Sequence, residues 1–129
     1  MRPGDRIHPL ERTITQTDMI AYGAATWDFH RLHYDPAVAA RAGLDRPVVD
    51  GQMLGGLLAE LVCRSLAAGQ RLSRLHYRNT APVLAGATVV CAATGPVRES
   101  DDGTLHVDLE VRVGDQVVVR GAGAEITTS

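Results

Sequence analysis

Residues 52–68 read as one long helix that is apolar around most of its circumference, and such a helix has to be wrapped by another part of the chain. Met53, Leu54, Leu57, Leu58, Leu61, Val62 and Leu66 recur at helical spacing. Gly55, Gly56, Ala59 and Ala67 lie between them, so even the gaps are small or apolar. The helix is expected to run from Gln52 to Ala68, with Gly69 as its C-terminal cap.

The C-terminal half of the chain is built to do the wrapping. From Arg71 onward the hydrophobic period changes to two. Leu105, Val107, Leu109, Val111 and Val113 alternate with His106, Asp108, Glu110 and Arg112, the pattern of a half-buried strand. Leu72–Thr80 and Thr88–Ala93 read as earlier strands, and Ser100–Gly103 as a turn. Gly114-Asp115 turns the chain into a last strand from Gln116 to Arg120 that continues toward Ile126. At least four antiparallel strands after one long helix make an α+β arrangement, and a curved sheet around the helix is the economical way to bury both.

Ahead of the long helix, Arg6–Thr15 reads as a strand leading to a helix over Asp18–Thr26, with Thr17 as its N-cap. Trp27–Tyr34 is a polar, histidine-rich loop. Asp35-Pro36 opens a short helix through Ala37–Ala42, proline suiting the first turn, and Gly43–Asp50 is loop again. With no linker, repeat or low-complexity run, residues 1–129 are read as a single domain.

Composition excludes several classes of function. A net charge of −2 and a pI near 6.2 do not suit a nucleic-acid or anionic-membrane surface. All 13 cations are scattered arginines. Aromatic residues are only 4% of the chain, so Val, Leu and Ala must fill the core. Cys63 and Cys91 stand alone and are expected to be small buried hydrophobes in a reducing compartment. No signal-peptide core and no run of ~20 apolar residues occurs, which sets the expectation of a soluble, cytoplasmic protein. No zinc-like ligand spacing, G-x-S-x-G, P-loop or dinucleotide fingerprint is present, so no metal and no redox or phosphoryl-transfer chemistry is expected. His8, His76 and His106 fall on strand-like segments and read as structural or solvated.

The chemistry concentrates in the run from Trp27 to Pro36, where two histidines and two carboxylates occur within ten residues. Asp28 and His33 are five apart, so a bent loop can point both at one small molecule. A carboxylate and an imidazole around a water are general acid–base equipment, and an unperturbed histidine pKa of about 6.5 leaves either protonation state accessible. His30 either orients a ligand or caps the loop. Gly51 stands just before the long helix, where free backbone N–H groups and the helix dipole favour negative charge.

Taken together, Asp28, His33, Asp35-Pro36 and the run Arg46-Pro47-Val48-Val49-Asp50-Gly51 before the long helix resemble the MaoC-like, R-specific enoyl-thioester hydratases and dehydratases. The resemblance implies a hot-dog fold, with Asp28 and His33 activating the water that adds to, or leaves from, C3 of an enoyl or 3-hydroxyacyl thioester. It implies Gly51 as an oxyanion donor; Asp50, read as the N-cap of the long helix, also places a carboxylate near that site, and Asp50 and His30 are the further substrate-side candidates. Two departures stand out: Asp50 replaces a common histidine, and His30-Arg31 replaces a common Asn-Pro. His-Arg-Leu-His-Tyr-Asp is closer to a branch acting on short branched or dicarboxylic acyl-CoA substrates, in which the position of Asp28 is often asparagine.

The same resemblance implies a homodimer, an acyl tunnel, and no cofactor beyond the coenzyme A or acyl-carrier phosphopantetheine of the substrate itself. An acyl-carrier protein is therefore a candidate partner. Two rival readings are a hot-dog thioesterase, for which only Asp50 and Glu60 could serve as the helix acid, and a non-catalytic acyl-binding partner in a heteromeric dehydratase.

Overall fold

Alternation along the late strands decides which side of the sheet is covered. The computed structural model describes residues 1–129. Its elements are β1 (Leu10–Thr13), α1 (Gln16–Thr26), a 3₁₀ turn (Arg31–His33), α2 (Pro36–Arg41), α3 (Gly51–Cys63), β2 (Gln70–Asn79), β3 (Thr88–Ala93), β4 (Arg98–Glu99), β5 (Leu105–Val113) and β6 (Gln116–Thr128). On β5, Leu105, Val107, Leu109 and Val111 are buried while Asp108 is exposed. Val89 and Cys91 of β3 and Ala122, Ala124 and Ile126 of β6 are buried with them, facing Leu54, Leu57, Leu58, Leu61 and Val62 of α3.

The six strands form one antiparallel sheet in the order β1-β3-β5-β6-β2, with β4 pairing β5 off that path. Register shifts interrupt the β2–β6 and β5–β6 ladders, and such bulges bend strands. The sheet curves around α3, which packs on β2, β3 and β5. This is the expected α+β hot-dog arrangement. Gly55 lets β2 come close to the helix: a Cβ there would collide with the ring of Tyr77.

The bounds of β3 and β5 are those expected, β1 is shorter than Arg6–Thr15, β2 is Gln70–Asn79 rather than Leu72–Thr80, and three further details differ. The N-cap of α1 is Thr15, not Thr17. The Thr15 hydroxyl accepts from the Asp18 N–H (3.1 Å) while the Asp18 carboxylate accepts from the Thr15 N–H (2.9 Å), a reciprocal box open to Thr15 because an acid lies three residues on. The long helix stops at Cys63 rather than Ala68. Ser65 N–H bonds back to Val62 C=O (2.9 Å), tightening the last turn, so the cap is Arg64, and Gly69 instead reverses the chain into β2 at φ +81°.

Cys63 is the third correction. It is exposed, because the sheet covers one side of α3 and leaves Gln52, Gly56 and Cys63 outside. Cys91 is buried, and burial pushes its thiol up to about 12. Native protein should therefore take up one equivalent of iodoacetamide at pH 8, at Cys63, and a second only after unfolding. Peptide mass mapping checks this; rapid labelling of Cys91 in the native protein would contradict the packing of β3.

Candidate functional site

The loop that carries Asp28 is aimed by the way α1 ends. Trp27 adopts a left-handed conformation (φ 55°) as the C-cap, and the N–H groups of Trp27 and Asp28 both return to Gly23 C=O. A Cβ at Gly23 would lie 2.8 Å from Asp28 O, so only glycine permits this reversal. Asp28 Oδ1 then accepts from the His30 N–H (3.2 Å). His30 is spent on structure in turn: its Nδ1 accepts from the Leu32 N–H (3.2 Å), capping the 3₁₀ turn that presents His33.

His33 is oriented from a distance. Its Nδ1 lies 2.7 Å from Val48 C=O, and because a carbonyl only accepts, Nδ1 carries the hydrogen. In the neutral ring Nε2 is therefore a bare acceptor. It sits 3.9 Å from Asp28 Oδ2, too far for direct hydrogen bonding and wide enough for a shared third group. Val48 is held in place by a bridge to Leu84, flanked by bonds from Val49 N–H to Val83 C=O (2.7 Å) and Ala85 N–H to Pro47 C=O (2.9 Å).

That same clamp delivers Asp50. It is the N-cap of α3, its Oδ1 accepting from the Gln52 N–H (2.9 Å), and its carboxylate turns toward the loop. One ligand atom each of Asp28, His33 and Asp50 lie within 4.8 Å of one another. These are the residues that could hold a metal ion, although exposed carboxylates assemble without one as well. Asp28 is held below the usual carboxylate range, first by hydrogen bonding with the Asp50 carboxyl, then by the His30 N–H.

Gly51 opens onto the adjoining space. With Val48, Leu54, Asn79 and Val83 it lines a cleft of about 400 Å³, and a Cβ on Gly51 would strike the Asn79 side-chain amide. On the other side of the pair, a mainly apolar pocket of about 230 Å³ runs from Asp28 and His33 past Met19, Ile20, Phe29 and Tyr34. The structure thus brings together Asp28, His33 and Asp50, places Gly51 next door, and gives His30 Nδ1 a loop-capping bond. Sequence reasoning missed Tyr22 and Asn79. Tyr22 lines the slot with Asp28, His33 and Asp50, and its phenol is held up by burial, then by Asp50, Tyr77 and Asp28. Its signal was the helical spacing of Met19, Tyr22 and Gly23; Asn79, far along the chain, offered none.

Comparison with known families decides what kind of chain carries this site: the family described as the MaoC like domain matches residues 2–119. The chain belongs to the MaoC-like family. Among curated relatives, the (R)-specific enoyl-CoA hydratase of Aeromonas caviae is 35% identical over 57 residues, 44% of this chain and 42% of that protein. The mitochondrial 3-hydroxyacyl-[acyl-carrier-protein] dehydratase of Arabidopsis thaliana is 28% identical over 76 residues, 58% of this chain and 45% of that protein. The matched stretch spans less than half the length of each of these relatives. Among solved structures, the (R)-hydratase from A. caviae involved in PHA biosynthesis superposes with a TM-score of 0.87 at 23% identity, over 100% of this chain and 98% of that one. The ChsH1-ChsH2 complex from Mycobacterium tuberculosis gives 0.86 at 21%, covering 100% and 99%. At such identities these likenesses establish the fold.

Proposed function

We propose that this MaoC-like chain adds water to, or removes it from, the C2–C3 bond of an enoyl or 3-hydroxyacyl thioester. The observation that carries the reading is the bare Nε2 of His33 facing the Asp28 carboxylate across 3.9 Å. A water between them donates one hydrogen to each, which leaves its oxygen lone pairs directed away from both acceptors and toward an incoming carbon. His33 is the base that takes the water proton, and Asp28 holds the water and relays the proton that reaches C2. The backbone N–H at Gly51, at the positive end of α3, receives the charge that develops on the thioester oxygen, a donor worth about 3 kcal/mol in the transition state.

The acyl group fits the apolar pocket walled by Met19, Ile20, Phe29 and Tyr34, and the thioester is carried by coenzyme A or acyl-carrier phosphopantetheine. Two copies join along β2, whose outer edge has no strand partner in the sheet order. The thioesterase alternative loses one of its two candidate acids, because Glu60 is paired with Arg12 and Arg64.

The test is the ultraviolet band of a conjugated enoyl thioester, with crotonyl-CoA and a short panel of branched enoyl-CoAs. Wild-type protein should abolish the band without releasing free thiol. Loss of the band with stoichiometric release of free CoA would replace the hydratase reading with a thioesterase, because hydrolysis also destroys the conjugated thioester.

A further inference from the structure

We propose that Arg78 and Arg120 form an anion site on the outer face of the sheet, and that it holds the phosphate end of the group that carries the thioester. The identity of the anion rests on the thioester reading above; the site itself rests on how the sheet is built.

These two are the exception among the arginines on strands. Arg12, Arg71, Arg74, Arg98 and Arg112 bond to Glu60, Thr127, Glu125, Asp108 and Glu110 respectively. Arg78 and Arg120 have no such partner, although they stand directly opposite each other on β2 and β6. Like charges at opposed positions repel and weaken a sheet. The neighbouring acids are already committed, Asp108 to Arg98 at 2.8 Å, Glu125 to Arg74 at 3.4 Å and Glu110 to Arg112. An anion between the two guanidinium groups replaces their repulsion with attraction to a shared charge, and the guanidinium fork matches the oxygens of a phosphate.

The backbone makes room for that anion. Between the pairs His76–Gly123 and Arg78–Arg120, β6 carries one residue more than β2, and Gly121 takes up the slack at φ +57°. The His76 ring lies against Gly123, where a Cβ would stand 2.8 Å from Cε1. Tyr77 faces Gly55 of α3, so its neighbours His76 and Arg78 project from the other face of the sheet. The resulting cleft of about 370 Å³ is lined by His76, Tyr77, Arg78, Thr80, Arg120 and Gly121, with no carboxylate among them. Two unpaired cations, an imidazole and a hydroxyl suit an anion and not an acyl chain.

Position indicates which anion. Thr80 lines this cleft and the Gly51 cleft alike, so the two meet at the end of β2. Thr80 is pinned there, its N–H (2.9 Å) and its hydroxyl (3.2 Å) both donating to Val118 C=O. With the thioester oxygen at the Gly51 N–H, an uncharged pantetheine arm that crosses Thr80 brings its phosphate between Arg78 and Arg120. That phosphate is the diphosphate of coenzyme A or the single phosphate of a carrier-protein arm. The proposed pairing of two copies along β2 uses the backbone edge and leaves both arginines on the outer face.

Calorimetric titration of the full chain with coenzyme A, 4′-phosphopantetheine and pantetheine reads the site without any turnover. Coenzyme A should bind about tenfold or more tightly than pantetheine, which has no phosphate, and should lose affinity as salt is added. Arg78→Gln and Arg120→Gln should each weaken coenzyme A about tenfold, the loss of one charge-assisted contact, and the KM for crotonyl-CoA should rise in parallel. A loss confined to coenzyme A assigns the diphosphate; an equal loss for phosphopantetheine assigns the single phosphate that a carrier protein shares. Both side chains are exposed and glutamine relieves their repulsion, so the melting temperature of the double variant should not fall. Arg41→Gln removes an equally unpaired arginine from α2 and should keep wild-type affinity. Failure to bind coenzyme A, equal affinity for coenzyme A and pantetheine, wild-type affinity in the double variant, or an equal loss in Arg41→Gln would overturn the site. Arginine-dependent binding of coenzyme A by a protein that hydrates no enoyl thioester would sink the hydratase reading and leave the anion site standing. Hydration with an affinity indifferent to both arginines would do the reverse.

Discussion

Removing the imidazole of His33 is expected to lower kcat for the proposed enoyl-thioester hydration by about 10²–10⁴-fold, the range for loss of a positioned base. The better variant is His33→Asn. Its side-chain NH₂ occupies the position of Nδ1, so the bond to Val48 C=O (2.7 Å in the native protein) survives while Nε2 is gone. His33→Ala loses both and should also cost about 1 kcal/mol of stability, the ordinary value of one hydrogen bond. Asp28→Asn should show a loss of the same order: its remaining oxygen can still accept from the His30 N–H, so the loop keeps its shape, but the amide cannot stabilise or relay a proton. In all three, KM should change little, since the apolar walls of the adjoining pocket, Met19, Ile20, Phe29 and Tyr34, are unchanged. Turnover within tenfold of wild type in both His33→Asn and Asp28→Asn would remove the water-activating pair from the mechanism.

The largest effect on stability is expected at Leu58. It is 0% exposed at the middle of α3, on the side the sheet covers, and truncation to alanine leaves a cavity that the strands cannot close without giving up their own pairing. The expected loss is about 2–5 kcal/mol, read from the midpoint of urea unfolding with an unchanged slope. The melting temperature should drop by roughly 10 °C for a loss near the middle of that range. A change below about 1 kcal/mol would mean that α3 is not enclosed as described.

The features behind these two effects differ in how openly the sequence displays them. The ladder of β5 can be read directly, because Leu105, Val107, Leu109 and Val111 alternate with polar residues and a strand's two faces are written in every second position. The start of α3 is visible in Asp50-Gly51 and the short second helix in Asp35-Pro36, since caps act over two or three residues. The Asp28/His33 pair is visible for the same reason: one turn of loop spans it. The cap of α1, read from the sequence as Thr17, is Thr15, because its reciprocal bond with Asp18 closes a capping box.

Cys63 shows where local pattern stops. Its helix is apolar or small around most of its surface, so nothing in that stretch says which side the sheet will pass; the strands' bulges and order decide it. The same limit applies to the candidate site. The tautomer of His33 is set by Val48, 15 residues on, and the approach of Asp50 depends on the clamp of residues 47–49 against 83–85. Asn79 reaches Gly51 only because β2 runs back along α3.

Local sequence was enough for most of the elements, for several of their caps and for the five-residue spacing that places a carboxylate and an imidazole on one loop, because these depend on hydrogen bonds and periodicities that act within a turn or two of chain. The assembled fold settled which face of α3 is covered, which nitrogen of His33 is bare, and that Asp50 joins Asp28. Those outcomes depend on where distant segments meet, and that is the sum of many small backbone rotations rather than a property of any short stretch.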